Sequence, residues 1–79
     1  MVSSTKSMTG HMLGATGAVE AVATILSLQN GVVFSNVGYC EPDKDCDLNY
    51  VTGAAVSKNV KLAISNSFGF GGHNACVCF

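Results

Sequence analysis

Lys6 and His11 stand five residues apart in Lys6-Ser7-Met8-Thr9-Gly10-His11, and Gly10 and Gly14 flank the imidazole. An imidazole so placed can act as a general acid or base, or donate a hydrogen bond to a developing enolate or alkoxide. A nearby ammonium sets the local potential for that charge. The same spacing also suits a surface lysine and a histidine satisfied by backbone at a helix start. Glu20 is the only charged residue between Leu13 and Gln29. A carboxylate in a buried helix needs a partner, because an unpaired buried charge is costly. Lys6 can be that partner; a rim glutamate facing water is the alternative.

A third group is Phe68-Gly69-Phe70-Gly71-Gly72, followed by His73. Three glycines in four residues permit positive φ and close backbone approach. The loop can offer backbone amides and an aromatic shutter to a substrate, or it can simply be a packed turn. It does not fit a phosphate-binding fingerprint, which requires a helix to follow. His73 reads as a hydrogen-bonded turn residue.

These residues need elements to hold them. Val2 to Thr5 reads as the end of a strand that delivers Lys6 to a loop. Helix signals begin near Gly10 to Gly14 and run to Gln29, with Gly31 as the stop. Val19, Val22, Ala23, Ile25, Leu26 and Leu28 nearly surround the helix axis. Thr16, Glu20, Thr24 and Ser27 follow at spacings of four, four and three and form one narrow polar stripe. A helix apolar on most sides is expected to be buried on most sides. Val32 to Asp47 reads as an irregular surface excursion, and Leu48 to Val51 as a short extended piece. Val60 to Asn66 and Ala75 to Phe79 read as strands joined by the glycine-rich turn, giving an antiparallel hairpin.

Composition points the same way. Charged residues are 11% of the 79, against about 25% in typical soluble domains. Mean hydropathy is +0.37. A chain of this length buries only about 60% of its unfolded surface. So few charges cannot coat a free-standing globule, and much of the surface is expected to be covered by more polypeptide or by an oligomer partner. The apolar stretch Gly17 to Leu28 is too short and too polar to cross a membrane, and the N-terminus lacks signal-peptide character. With a net charge of −1, nothing points to nucleic acid or an anionic membrane.

Cys40, Cys46, Cys76 and Cys78 show no CxxC pair. Cys40 and Cys46 flank a turn and can in principle pair, while Cys76 and Cys78 share one strand face. Free thiols in a reducing compartment are the expectation, with no metal.

Taken together, Ser3 to His11, Leu13-Gly14-Ala15 and Gly17-Ala18-Val19-Glu20-Ala21 resemble the signature of the elongating β-ketoacyl-acyl-carrier-protein synthases. Ser65 to Asn74 resembles that family's C-terminal signature, and Cys46 to Val51 the segment between them. The resemblance implies an α/β fold. The chain, residues 1–79, would be an incomplete portion of the second half of a thiolase-like α-β-α-β-α core: strand, buried helix, excursion and C-terminal hairpin. It implies decarboxylative Claisen condensation without a cofactor, acyl carrier protein as partner, a homodimeric intact enzyme completed by the missing N-terminal part, and a cytoplasmic or organellar location. It implies that Lys6 is the active-site lysine, His11 the histidine that stabilises the enolate, and Glu20 the lysine's counter-charge. Phe70 would be the gating phenylalanine and an oxyanion-hole amide, within the loop Phe68, Gly69, Gly71 and Gly72.

Two departures stand out. Phe34 to Gly38 replaces a Pro-Pro-Thr-Ile-Asn-like run, and Thr52-Gly53 replaces Pro-Asn. None of the four cysteines stands in the family's nucleophile context. A catalytically silent partner that sets chain length, or a small self-standing binding module, are the other readings of the chain.

Overall fold

The computed structural model describes all 79 residues. Lys6–Thr9 forms a single helical turn, α1, closed by Gly10, whose amide bonds the Lys6 carbonyl. Lys6 therefore sits on a helical turn rather than on the expected loop, because Thr5 O accepts from both Met8 N and Thr9 N. A 3-10 turn, Leu13–Ala15, leads into the main helix α2, Thr16–Asn30. The regular helix thus starts later than the glycine pattern implies. It ends as expected: Gly31 is left-handed (φ 62°, ψ 38°) and its amide bonds Ser27 O.

The strands are short. β1 (Val32–Val33) pairs antiparallel with β2 (Val56–Ser57), and β3 (Ile64–Phe68) with β4 (Asn74–Cys78). The C-terminal hairpin is as expected. Its first strand, however, begins four residues late, and Ala63 instead exchanges both backbone hydrogen bonds with Phe79. The N-terminal segment is not a named strand, but Val2 bridges Tyr50 and Asn36 bridges Thr52, both in parallel. Val51 lies between these bridges and is the one buried hydrophobic residue, 2% exposed. The extended piece expected over Leu48 to Val51 begins later: Leu48 is a bend whose carbonyl accepts from Tyr50 N at 2.9 Å, and extended pairing starts at Tyr50.

The excursion after β1 is stitched to the N-terminus. Ser3 Oγ donates to Phe34 O, Asn36 Oδ1 accepts from Ser4 N, Asn36 Nδ2 donates to Val51 O, and Val37 N donates to Ser7 Oγ. The segment that departs from the family pattern therefore carries the link between the residues before Lys6 and the Val51 core.

α2 packs on β3 and β1, but it is not buried on most sides; Thr16 is its one buried residue. Its exposed large side chains include Val19, Val22, Ile25 and Leu26. The polar stripe is the sheltered side instead, with Thr16 buried and Glu20, Thr24 and Ser27 half-buried. The helix is reversed relative to an ordinary surface helix, which turns its apolar stripe inward. The accessible surface, 5811 Å², is well above the roughly 4,500 Å² expected for a compact monomer of this mass. All four cysteines are free and exposed.

Candidate active site

Lys6 and Glu20 come together. The turn of α1 and the second turn of α2 place the Lys6 ammonium on Glu20 Oε1. The Glu20 side chain is 12% exposed and that of Lys6 39%, so the carboxylate is the sheltered member. Thr5, itself buried, donates its hydroxyl to the same oxygen at 3.4 Å. Both residues line a cleft of about 670 Å³ between the N-terminal segment, α2 and β3, which Phe68 also lines. The alternative of a glutamate facing water does not hold.

His11 lies outside that cleft, exposed and with no hydrogen bond to Lys6 or Glu20. Its Nδ1 accepts from Leu13 N at 2.9 Å and lies 3.4 Å from Thr16 Oγ1. A backbone N–H can only donate, so Nδ1 must be the unprotonated nitrogen. In the neutral ring the proton then sits on Nε2, which has no partner within the chain and is free to donate outward. Leu13 achieves this with a left-handed backbone, φ 50°, an unfavourable conformation for an L-residue with a side chain. The expected satisfaction of the histidine by backbone is therefore met at one nitrogen only.

The glycine-rich loop hangs from the end of β3. A Cβ on Gly17 would lie 3.8 Å from Ser67 Oγ, so β3 ends beside the first turn of α2, the turn that carries Thr16. Phe70–Gly72 forms a tight turn that is not a regular helix, and Gly71 and Gly72 are consecutively at positive φ, 78° and 81°. Gly69 N donates to His73 O at 2.7 Å, so His73 holds the turn through its carbonyl. Phe70 is 100% exposed. Of this loop only Phe68 lines the cleft that holds Lys6 and Glu20; Gly69, Phe70, Gly71 and Gly72 do not.

Two residues of the site escape sequence reasoning. Thr16 reads as a member of a polar stripe, although it contacts the imidazole. Leu13 reads as a helix residue, and no local signal marks its left-handed backbone. No group of three or more potential metal ligands is present.

The description "Beta-ketoacyl synthase, C-terminal domain" matches residues 1–39. Over 78 residues, 99% of the chain, it is 51% identical to a 3-oxoacyl-[acyl-carrier-protein] synthase 2 of Synechocystis sp.. It is 50% identical over the same length to a 3-oxoacyl-[acyl-carrier-protein] synthase 2 of Staphylococcus aureus. The chain spans 19% of the length of each relative. The aligned length runs beyond residue 39 and so takes in β2, the hairpin and its glycine-rich loop. A helix with two antiparallel strand pairs is consistent with part of the fold that this domain implies. The chain is thus similar to the C-terminal domain of β-ketoacyl synthases over residues 1–39, and along 99% of its length to a segment of 3-oxoacyl-[acyl-carrier-protein] synthases.

Proposed function

We propose that the polypeptide carrying this segment is a 3-oxoacyl-[acyl-carrier-protein] synthase of fatty-acid synthesis. It joins a malonyl unit to an acyl chain held as a thioester on a cysteine outside these residues. The segment is an incomplete part of the second half of a thiolase-like fold. Acyl carrier protein delivers both substrates, and the intact enzyme is a homodimer working in a soluble compartment.

The carrying observation is the state of His11. With Nδ1 occupied by Leu13 N–H, its Nε2–H has no partner within the chain and can donate to a malonyl thioester carbonyl. When the C–C bond to the carboxylate breaks, carbon dioxide leaves and its electron pair forms an enolate. The developing oxyanion is stabilised by the Nε2–H donor. The enolate carbon attacks the acyl-enzyme carbonyl; the new C–C bond forms as the C–S bond to the cysteine breaks, returning a thiolate. Lys6, held by Glu20, supplies positive potential to this charge and orients the turn that leads to His11. Phe70, whose ring contacts nothing in the chain, is the gate, and its amide is a donor to the acyl carbonyl.

The test uses the full-length polypeptide with His11→Ala. Malonyl-carrier-protein decarboxylation is expected to fall about a hundredfold or more, with transfer of acyl groups to the cysteine largely retained. Equal loss of both steps removes the role given to His11. Absence of 3-oxoacyl product from the unaltered enzyme overturns the whole reading.

A further inference from the structure

We propose that Thr16 is a positioning residue for His11, fixing the imidazole as the tautomer with an accepting Nδ1 and a donating Nε2–H; its catalytic consequence rests on the function proposed above. Thr16 opens α2, where a threonine ordinarily caps the helix. This one does not: the N-cap position is Ala15, and no side chain bonds the helix end. The hydroxyl turns back instead. It accepts from Met12 N at 2.9 Å and meets His11 Nδ1 at 3.4 Å.

The geometry assigns each proton. Met12 N–H occupies a lone pair of the hydroxyl oxygen, so the hydroxyl proton is free for another acceptor. The acceptor beside it is Nδ1, which already receives Leu13 N–H and so carries no proton of its own. Thr16 therefore acts on both sides of the His11–Met12 link, holding the amide that follows the histidine and facing the ring nitrogen. It is 6% exposed, so water does not readily substitute for it, and loss of the hydroxyl strands the Met12 amide. Leu13 N–H is tied to a strained backbone. The Thr16 hydroxyl shares the single Nδ1 lone pair as a second, longer donor carried on a regular helix, so the tautomer does not depend on a strained turn alone.

The experiment compares the full-length enzyme with Thr16→Val, which keeps the shape and removes the hydroxyl, and Thr16→Ser, which keeps the hydroxyl. Histidine nitrogen chemical shifts by NMR read the His11 tautomer, and thermal unfolding checks the fold. The unaltered enzyme and Thr16→Ser are expected to show a pyridine-like Nδ1 and a protonated Nε2. Thr16→Val is expected to show a mixed or averaged signal. Malonyl decarboxylation should fall several-fold in kcat with KM and cysteine acylation unchanged, and Thr16→Ser should restore it. An Nδ1-protonated His11 in the unaltered enzyme overturns the inference whatever the variants do. So does a Thr16→Val enzyme of normal tautomer and rate, which would leave Thr16 a packing residue. The nitrogen shifts need no turnover, so they decide the role of Thr16 even if the enzyme makes no 3-oxoacyl product.

Discussion

The Lys6 ammonium reaches across from a one-turn helix to the Glu20 carboxylate, and the carboxylate is the more sheltered partner. The pair joins two elements that no regular hydrogen-bond ladder connects. Water reaches the partly exposed Lys6 end and can solvate the ammonium when the pair is broken, so the bond matters chiefly for where it holds the lysine. In the full-length enzyme, Glu20→Gln is expected to lower kcat for condensation roughly tenfold, one hydrogen-bonded charge being worth about 1.5 kcal/mol or more. The thermal midpoint should barely move. A double-mutant cycle with Lys6→Ala should show clear non-additivity; additive losses would mean that the two residues act separately.

Leu13 gives a prediction about strain. Its side chain is exposed, so removing it costs little packing. Leu13→Ala keeps the left-handed penalty, whereas Leu13→Gly relieves it. The glycine variant should exceed the alanine variant in stability by about 1 kcal/mol, measured by denaturant unfolding under identical conditions. The reverse order would place the backbone outside the left-handed region.

Gly71 should be the more telling of the loop glycines. At φ 78° an alanine is strained, while its Cβ would make only an ordinary contact with the His73 ring at 3.7 Å. Gly71→Ala is expected to destabilise the loop by about 1–2 kcal/mol. If Phe70 is a gate, it should slow acyl transfer to the cysteine and condensation together, read in pre-steady-state assays. Gly69→Ala, at an extended φ of −100°, should do much less. Equal effects would argue that space rather than backbone conformation governs the loop.

The 79-residue chain on its own is expected to have no condensing activity. With acyl- and malonyl-carrier protein, mass spectrometry should detect no 3-oxoacyl product. Its thermal transition should be broad and non-cooperative, since Val51 is its one buried hydrophobic side chain. A sharp transition would revive the self-standing module.

What the sequence discloses follows the reach of its signals. Gly31 stops α2 because the left-handed C-cap is a local demand, and the Lys6–Glu20 pairing is legible because a lone carboxylate in an apolar helix asks for a cation. The hairpin is legible because glycines separate two β-prone runs. The start of β3 is not, since Ala63 pairs with Phe79 through a register that only the folded chain defines. The tie of Asn36 to Val51 spans 15 residues and leaves no periodic trace. Nor does the burial of α2 follow from its composition. All-round apolarity states that a helix wants cover, and the covering groups are not among its neighbours in this chain.

That reversed helix has a consequence for biosynthesis. A nascent chain that folds from local contacts hides its oily side as it emerges; this stretch hides its polar stripe and leaves Val19, Val22, Ile25 and Leu26 open. Its settlement depends on sequence-distant partners, which arrive slowly and leave the strip open to chaperones and to other chains meanwhile. A substitution far away in the polypeptide could therefore be read by the cell here, as prolonged display of Val22 and Leu26.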